Sequence, residues 1–217
     1  MIQMPDKASE VGFDIDPANV LARQGSGAVG GLSNGWPIWR MEAYLSQQTQ
    51  IANSDNWTAF IDSLNGSLNQ FLATDLTRPL PLLYMASGLP SGFDGTPTSW
   101  TQALDDDGNP IITLTDTSMP DGFTLSPRDY IGLKWVNGDS LERRSLHRVC
   151  ATAVAASRAI AARIEPAVPT FVPEGAQANL VAPDCVMRQE TRETKVGRRD
   201  VFGRAEITFV AYQDLRP

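Results

Sequence analysis

The sequence predicts a mainly β protein: an antiparallel β-sandwich or barrel with one packed amphipathic helix at about residues 54–73. Short apolar strand patterns recur between turn residues in the second half of the chain, as they do in sandwiches and barrels. One longer apolar stripe has helical spacing instead. Its members are Trp57, Phe60, Ile61, Leu64, Leu68, Phe71 and Leu72. With 217 residues, 42% of them hydrophobic, the chain can bury a substantial core.

Composition divides the chain into two regions. Residues 1–35 carry prolines and a glycine-rich stretch without a sustained apolar period, which predicts an extended N-terminal arm, disordered or ordered by contact. Residues 36–217 are predicted to form the β-rich domain, beginning with a strand at 36–45. Ser54 or Asp55 is predicted to cap the helix.

Several hairpins and strands are predicted after the helix. Residues 86–122 are interpreted as a hairpin insertion, because Asp-Asp-Asp-Gly-Asn at 105–109 separates two strand patterns. Alanine-rich residues 151–165 allow two structures: propensity favours a helix, whereas alternation favours a hairpin that turns near Ala156 and Ser157. The other short strands are predicted at 123–125, 130–136, 146–149, 181–187 and 205–212.

The charge is unevenly distributed along the chain. The net charge is −7, with −10 in residues 1–127 and +3 in residues 128–217. An acidic protein of this kind does not suit general nucleic-acid binding, because counterion release needs Lys and Arg on the contact face. The asymmetry suits head-to-tail or ring contacts between copies.

Targeting and redox signals are few. No apolar run approaches the ~20 residues of a membrane helix, and the N-terminal residues lack the basic and apolar regions of a signal peptide. Two cysteines are too few for a disulfide scaffold. We therefore expect a soluble protein of a reducing compartment with no membrane partner.

A phosphate-loop pattern and a calcium-loop pattern are both incomplete. Residues 25–30 match G-x-G-x-x-G, but neither a convincing strand before them nor a helix after them is predicted, so a flexible arm is the better interpretation. Asp105, Asp107, Asn109 and Asp116 match four calcium-loop positions. Pro110 occupies the position that requires glycine, which favours a solvated hairpin tip.

The remaining chemistry-bearing residues are one histidine and two cysteines. His147 lies three residues before Cys150, and Cys185 follows Asp184, but no pair has zinc-finger spacing. If the strand at 146–149 continues, His147 and Cys150 point to opposite faces. We expect a hydrogen-bonded histidine and buried thiols, and we predict no catalytic, cofactor-binding or metal-binding residues. The protein is not expected to be an enzyme and needs no cofactor.

An ordered series of motifs runs from residue 36 to the end. The strand at 36–45 and the helix are followed by Thr-Arg-Pro-Leu-Pro at 77–81 and Arg-Asp-Tyr-Ile-Gly-Leu at 128–133. Leu-His-Arg-Val at 146–149, the alanine-rich 151–157, Ile-Glu-Pro-Ala-Val-Pro at 164–169 and Ala-Pro-Asp-Cys-Val-Met at 182–187 complete the series. This order resembles that of bacteriophage distal tail proteins, the ring proteins of the tail tip. Arg128 and Ser157 stand where that family has glycine, and Ala167 and Val168 replace its Leu-Arg pair.

The resemblance implies a function as well as a fold. It implies a β-sandwich or barrel subunit with one packed helix that assembles into a homo-oligomeric ring, usually a hexamer. Such a virion ring joins the tail tube to the baseplate hub or tail tip around the DNA channel. It also implies that residues 151–165 form a hairpin. An acidic channel wall would let DNA slide without specific binding.

Two alternatives stay open on the sequence. One is another ring protein of the same particle: a tail-tube, terminator or adaptor protein. The other is a β-sandwich module that binds a host glycan by aromatic stacking. Four of the five candidate stacking residues lie in patterns that predict core positions. The five are Trp36, Trp39, Trp57, Trp100 and Trp135.

Overall fold

The fold is mainly β, as predicted, with several largely antiparallel sheets. The computed structural model describes residues 1–17, 19–23, 29–33, 36–46, 50–137 and 141–215. Within these ranges there is one α-helix, and the two large sheets are open and arranged in a manner consistent with a β-sandwich.

The first sheet has seven strands among the described residues. In spatial order they are β1 (Ile2–Gln3), β6 (Phe71–Thr74), β15 (Asp184–Gln189), β17 (Ile207–Gln213), β5 (Ile38–Leu45) and β2 (Glu10–Asp16), with β16 (Lys195–Val196) pairing to β17 as well. β1 runs parallel to β6, and the other pairs are antiparallel.

The second sheet has six strands in the same part of the chain. In spatial order they are β14 (Gln177–Asn179), β10 (Tyr130–Val136), β11 (Glu142–Val149), β13 (Ala159–Glu165), β8 (Pro110–Thr115) and β7 (Ser99–Leu104). Two strand pairs stand apart from both sheets. They are β9 (Thr124–Leu125) with β12 (Ala153–Val154), and β3 (Asn19–Arg23) with β4 (Val29–Ser33).

The two sheets meet at a shared core contact. Each sheet has its own cluster of buried apolar side chains, but Tyr130 and Leu146 of the second sheet belong to the cluster of the first. Both contact Trp39 of β5: its indole N–H donates to the Leu146 carbonyl oxygen at 2.7 Å, and its ring lies 5.6 Å from that of Tyr130. We call Trp39, Tyr130 and Leu146 the inter-sheet junction.

The helix is shorter than predicted. α1 spans Ile51–Ser63, and the predicted continuation to residue 73 is wrong. Asn65 and Gly66 have φ of +48° and +69°, and this left-handed backbone ends the helix. The chain then turns and enters the first sheet as β6. The predicted cap is also wrong, since Ser54 is buried inside the helix, where its Oγ accepts the Ala205 N–H.

The first half of the predicted arm belongs to the first sheet. Residues 2–3 pair with β6, and residues 10–16 pair with β5 over seven registered positions. Phe13 is buried against Trp39, with ring centroids 5.3 Å apart. Apolar contact with the chain's own core therefore orders this segment. The hairpin of β3 and β4 follows it, and residues 24–28 lie outside the described residues.

Both predicted hairpins are present. β7 and β8 turn through Asp105–Asn109 with Gly108 at φ +81°. β7 is the edge strand of the second sheet, and β8 pairs with β7 on one side and with β13 on the other. Residues 151–165 form a hairpin rather than a helix: Ala156 and Ala159 bridge across Ser157 and Arg158, both left-handed. Cross-strand pairing with β8 here overrides helical propensity.

Two of the left-handed residues provide a stability test. Arg128 has φ +72° at the third position of the turn from Ser126 to Asp129, and Ser157 has φ +52°. Because a side chain costs about 1–2 kcal/mol in this region, Arg128→Gly and Ser157→Gly should each stabilise the fold by about 0.5–1 kcal/mol, net of the added freedom of the unfolded chain. Urea unfolding would measure both.

Thr152→Gly is the matched control for these two substitutions. Thr152 is exposed in the same hairpin and is not left-handed, so its replacement should destabilise the fold. Equal losses of stability in all three variants would contradict the assigned backbone conformations.

Candidate functional site

The histidine and the two cysteines do not come together. His147 is fully buried in β11, Cys185 is buried in the first sheet, and Cys150 is exposed, so the expectation of a buried thiol is wrong for Cys150. Burial raises the pKa of the Cys185 thiol, whereas partial desolvation by neighbouring atoms and the Glu165 charge raise the pKa of the Cys150 thiol. Among the described residues, no group of three or more His, Cys, Asp or Glu side chains could hold a metal ion.

His147 is held as a neutral imidazole. Its Nδ1 lies 2.8 Å from the Pro166 carbonyl oxygen, so Nδ1 carries the proton, and its Nε2 lies 3.0 Å from Ser145 Oγ. Burial lowers the pKa of His147 to about 4. The Ser145–His147 pair has the separation of a nucleophile and base, but both side chains are inside the core and cannot meet a substrate.

The acidic hairpin tip does not form a calcium loop. Asp105 Oδ1 accepts the N–H groups of Asp107 and Asn109 at 3.0 and 2.7 Å, which closes the turn. Asp116 lies at the other end of β8, where its carboxylate accepts hydrogen bonds from Thr98 and Ser118. The four predicted ligand positions therefore serve two separate turns. Asp106 and Asp107 remain exposed at the tip.

A buried polar network joins the sheets beside the inter-sheet junction. Tyr130 donates its hydroxyl to Asp75 Oδ2 at 2.8 Å, and burial together with the Asp75 charge raises the pKa of Tyr130. Asp129 is nearly inaccessible and accepts three hydrogen bonds. The donors are Leu82 N at 2.8 Å, Arg78 Nη1 at 3.0 Å and Ser126 N at 2.6 Å. These bonds attach the connection after β6 to the start of β10.

A cavity lies between β10, β11, β14 and β15. Its volume is about 300 Å³, and its lining includes Lys134, Arg144, Gln177, Asn179 and Asp184. Arg144 Nε lies 2.7 Å from Asp184 Oδ1, while Glu142 is within 3.1 Å of Arg144 Nη2 and 2.9 Å of Lys134 Nζ. Two cationic and two anionic side chains are thus paired around this cavity. The Arg144–Asp184 pair links β11 of the second sheet to β15 of the first.

The hairpin of β3 and β4 stands apart from both large sheets. The pairing of β2 with β5 ends at Asp16 and Ile38, and the next registered pair is Asn19 with Ser33. In the sequence, the hairpin of β3 and β4 therefore lies between β2 and β5. In the described part of the chain, β3 and β4 pair with each other and with no further strand. We call residues 19–23 and 29–33 the β3–β4 ribbon.

Comparison with known proteins assigns no family. No protein-family model matches this chain, and no curated protein sequence matches it at a significant level. Among the described residues, no helix is long and apolar enough to cross a membrane.

The lowered pKa of His147 predicts a pH-dependent stability. In the unfolded chain His147 binds a proton near pH 6.5, but in the folded chain it does so only near pH 4. The contribution of His147 to the free energy of unfolding is therefore complete above pH 6.5 and is lost as the pH falls towards 4. The total loss is about 3 kcal/mol. Urea unfolding of the wild type across pH 4–7 should show this slope, that is, a free energy of unfolding that decreases as the pH falls.

His147→Asn is the control for the pH experiment. Asn keeps an N–H donor for the Pro166 carbonyl but does not titrate, so the slope in this window should become flatter even if overall stability falls. An unchanged slope would show that other groups cause the pH dependence.

Asp129 provides a second stability test. Asp129→Ala leaves two backbone N–H groups and Arg78 without their acceptor and should cost about 3–5 kcal/mol. Arg78→Gln keeps the carboxylate and both backbone donors, so it should cost about 1 kcal/mol. Chemical denaturation of both variants tests this order, and equal losses would contradict the central role of the carboxylate.

Proposed function

We propose that this protein is a structural subunit of a phage tail. Copies of the chain form a homo-oligomeric ring in the virion, which joins the tail tube to the baseplate hub or the tail tip around the DNA channel. Six copies are the number implied by the resemblance to distal tail proteins. The chain contributes binding surfaces to this assembly and no catalytic step.

The order of elements supports the resemblance. The strand β5, the helix α1 and the hairpin of residues 151–165 follow one another as in the motif series described above. The two positions where the family has glycine also fit, because Arg128 and Ser157 both adopt left-handed backbone. The turn geometry expected of glycine is therefore retained without the glycine.

The β3–β4 ribbon is the observation that carries the proposal. A two-stranded hairpin alone is at most marginally stable in water, because both of its outer edges keep unpaired N–H and C=O groups. A hairpin that pairs with neither large sheet gains stability by packing on a neighbouring molecule. Ring formation supplies such a neighbour to every copy at once.

The glycan-binding alternative receives less support. Four of its five candidate tryptophans are buried, and three of these donate their indole N–H to backbone carbonyls inside the fold. Trp36 alone is half exposed. A stacking platform built from several aromatic side chains is therefore not present among them.

Removal of the ribbon tests the proposal. The purified chain should form rings with a central hole, measured by light scattering and negative-stain microscopy of one sample. Replacing residues 18–34 by a two-residue turn should abolish the rings while leaving the thermal midpoint nearly unchanged, because β2 and β5 keep their pairing. At concentrations where the wild type forms rings, the shortened variant should show only the mass of the unassembled chain.

A second shortened hairpin controls for nonspecific damage. Replacing residues 137–141, between β10 and β11, by a two-residue turn should preserve the rings. Rings that survive loss of the β3–β4 ribbon would overturn its role. A wild-type chain that forms no ring alone or with a tail-tube protein would overturn the proposed function.

A further inference from the structure

A rigid apolar turn projects from the first sheet between β16 and β17. Val201 is 94% exposed and Phe202 is 66% exposed, which is unusual for adjacent large apolar side chains. Ile51, at the start of α1, is also 47% exposed, and its Cδ1 lies beside Gly203. We call Val201 and Phe202, together with the nearby Ile51, the apolar turn.

The apolar turn is held in a fixed conformation. Asp200 Oδ1 accepts the N–H groups of Phe202 and Arg204, both at 2.9 Å, and Gly203 closes the turn with φ +76°. Arg199 forms an ion pair with Asp55 of α1 at 2.7 Å. A preorganised apolar turn loses little conformational entropy when a partner covers it, which is typical of a binding surface.

The surroundings of the apolar turn are basic. Residues 192–204 contain five basic and two acidic side chains, and Lys195 and Arg198 are both exposed. The Arg204 guanidinium lies 5.0 Å from the centre of the Phe202 ring. A suitable partner therefore offers an apolar group bordered by acidic side chains.

The chain itself carries such a group at the hairpin tip of β7 and β8. Leu104 is 68% exposed there, directly before the three acidic residues of the tip. Of these, Asp106 and Asp107 are exposed. The acidic tip (Leu104, Asp106 and Asp107) thus combines an exposed apolar side chain with a charge opposite to that around the apolar turn.

The acidic tip and the apolar turn lie at opposite ends of β5. Asn109 and Pro110 share a cavity with Trp36 and Pro37, just before the first residue of β5. The apolar turn precedes Ile207, which pairs with Leu45, the last residue of β5. Eight strand residues separate the two ends by about 25 Å. The two surfaces therefore cannot meet within one molecule, but they can meet between two copies.

We propose that the apolar turn of one copy docks on the acidic tip of the next copy. The contact is heterologous, so each subunit uses one surface of each kind, and repetition closes a ring or extends a filament. This inference rests on the proposed function and names one contact of the ring. An anionic membrane is the other partner that suits a basic apolar turn, and the test separates the two.

Charge reversal of each surface tests the contact. Lys195→Glu with Arg198→Glu reverses the basic side, and Asp106→Lys with Asp107→Lys reverses the acidic side. Each double variant should weaken association at least about tenfold in light-scattering titrations. A 1:1 mixture of the two should recover the wild-type mass, because alternating copies place opposite charges at every contact.

An apolar substitution and its control complete the design. Val201→Ser with Phe202→Ser should also weaken association at least about tenfold, whereas Val154→Ser, at another exposed valine, should not. Rings of unchanged affinity in the reversed variants would overturn this contact and leave the proposed function intact. Open filaments, disrupted by either reversal and restored by mixing, would support the contact and overturn the ring.

The membrane outcome is measured separately. Wild-type protein would be sedimented with vesicles of phosphatidylcholine containing phosphatidylserine. Cosedimentation that is lost in the Val201/Phe202 variant, together with association that is unaffected, would overturn the proposal in favour of a lipid partner. No cosedimentation, together with the mixing rescue, supports the contact between copies.

Discussion

The hydrogen bond from the Trp39 indole to the Leu146 carbonyl joins the two halves of the molecule. It places a β5 side chain against the backbone of β11, and the Tyr130 ring packs on the same indole. A buried backbone carbonyl and a buried indole N–H each need a hydrogen-bond partner, and here they satisfy one another. The two sheets are thus joined by directional contacts as well as by apolar area. The contacts of Trp39 therefore specify how the two sheets lie relative to each other.

The buried charges follow from the same constraint. The connection after β6 must cross from the first sheet to the second, and its backbone N–H groups need acceptors on the way. Asp75 and Asp129 supply acceptors on either side of the crossing, next to Tyr130. A buried carboxylate with three donors is costly to disturb, so it helps to specify one arrangement of the sheets. The raised pKa of Tyr130 follows from this burial and from the charge of Asp75 beside it.

Local signals predicted much of the fold, and long-range pairing decided the rest. The bounds of β10 and the acidic hairpin turn follow from patterns of a few residues. The alternation of Val11, Phe13 and Ile15 is also a strand signal, but the glycines that follow it outweighed it in the prediction of an arm. The helix was predicted too long because Phe71 and Leu72 continue its spacing. Pairing with β15, more than 100 residues away, makes them a strand. The Asp129 network was not predictable, since two of its three donors, Arg78 and Leu82, come from a distant segment.

The surfaces to which we assign contacts between copies lie at the two ends of β5. One end carries the β3–β4 ribbon and the acidic tip, and the other carries the apolar turn. Because the inter-sheet junction fixes the two sheets relative to each other, it also fixes the distance between surfaces that belong to different sheets. A subunit of a closed ring needs that property, since a small angular error at each contact accumulates around the ring. In the proposed ring, the polar groups buried at the junction would serve the assembly indirectly, by keeping the angle between the two proposed contact surfaces constant.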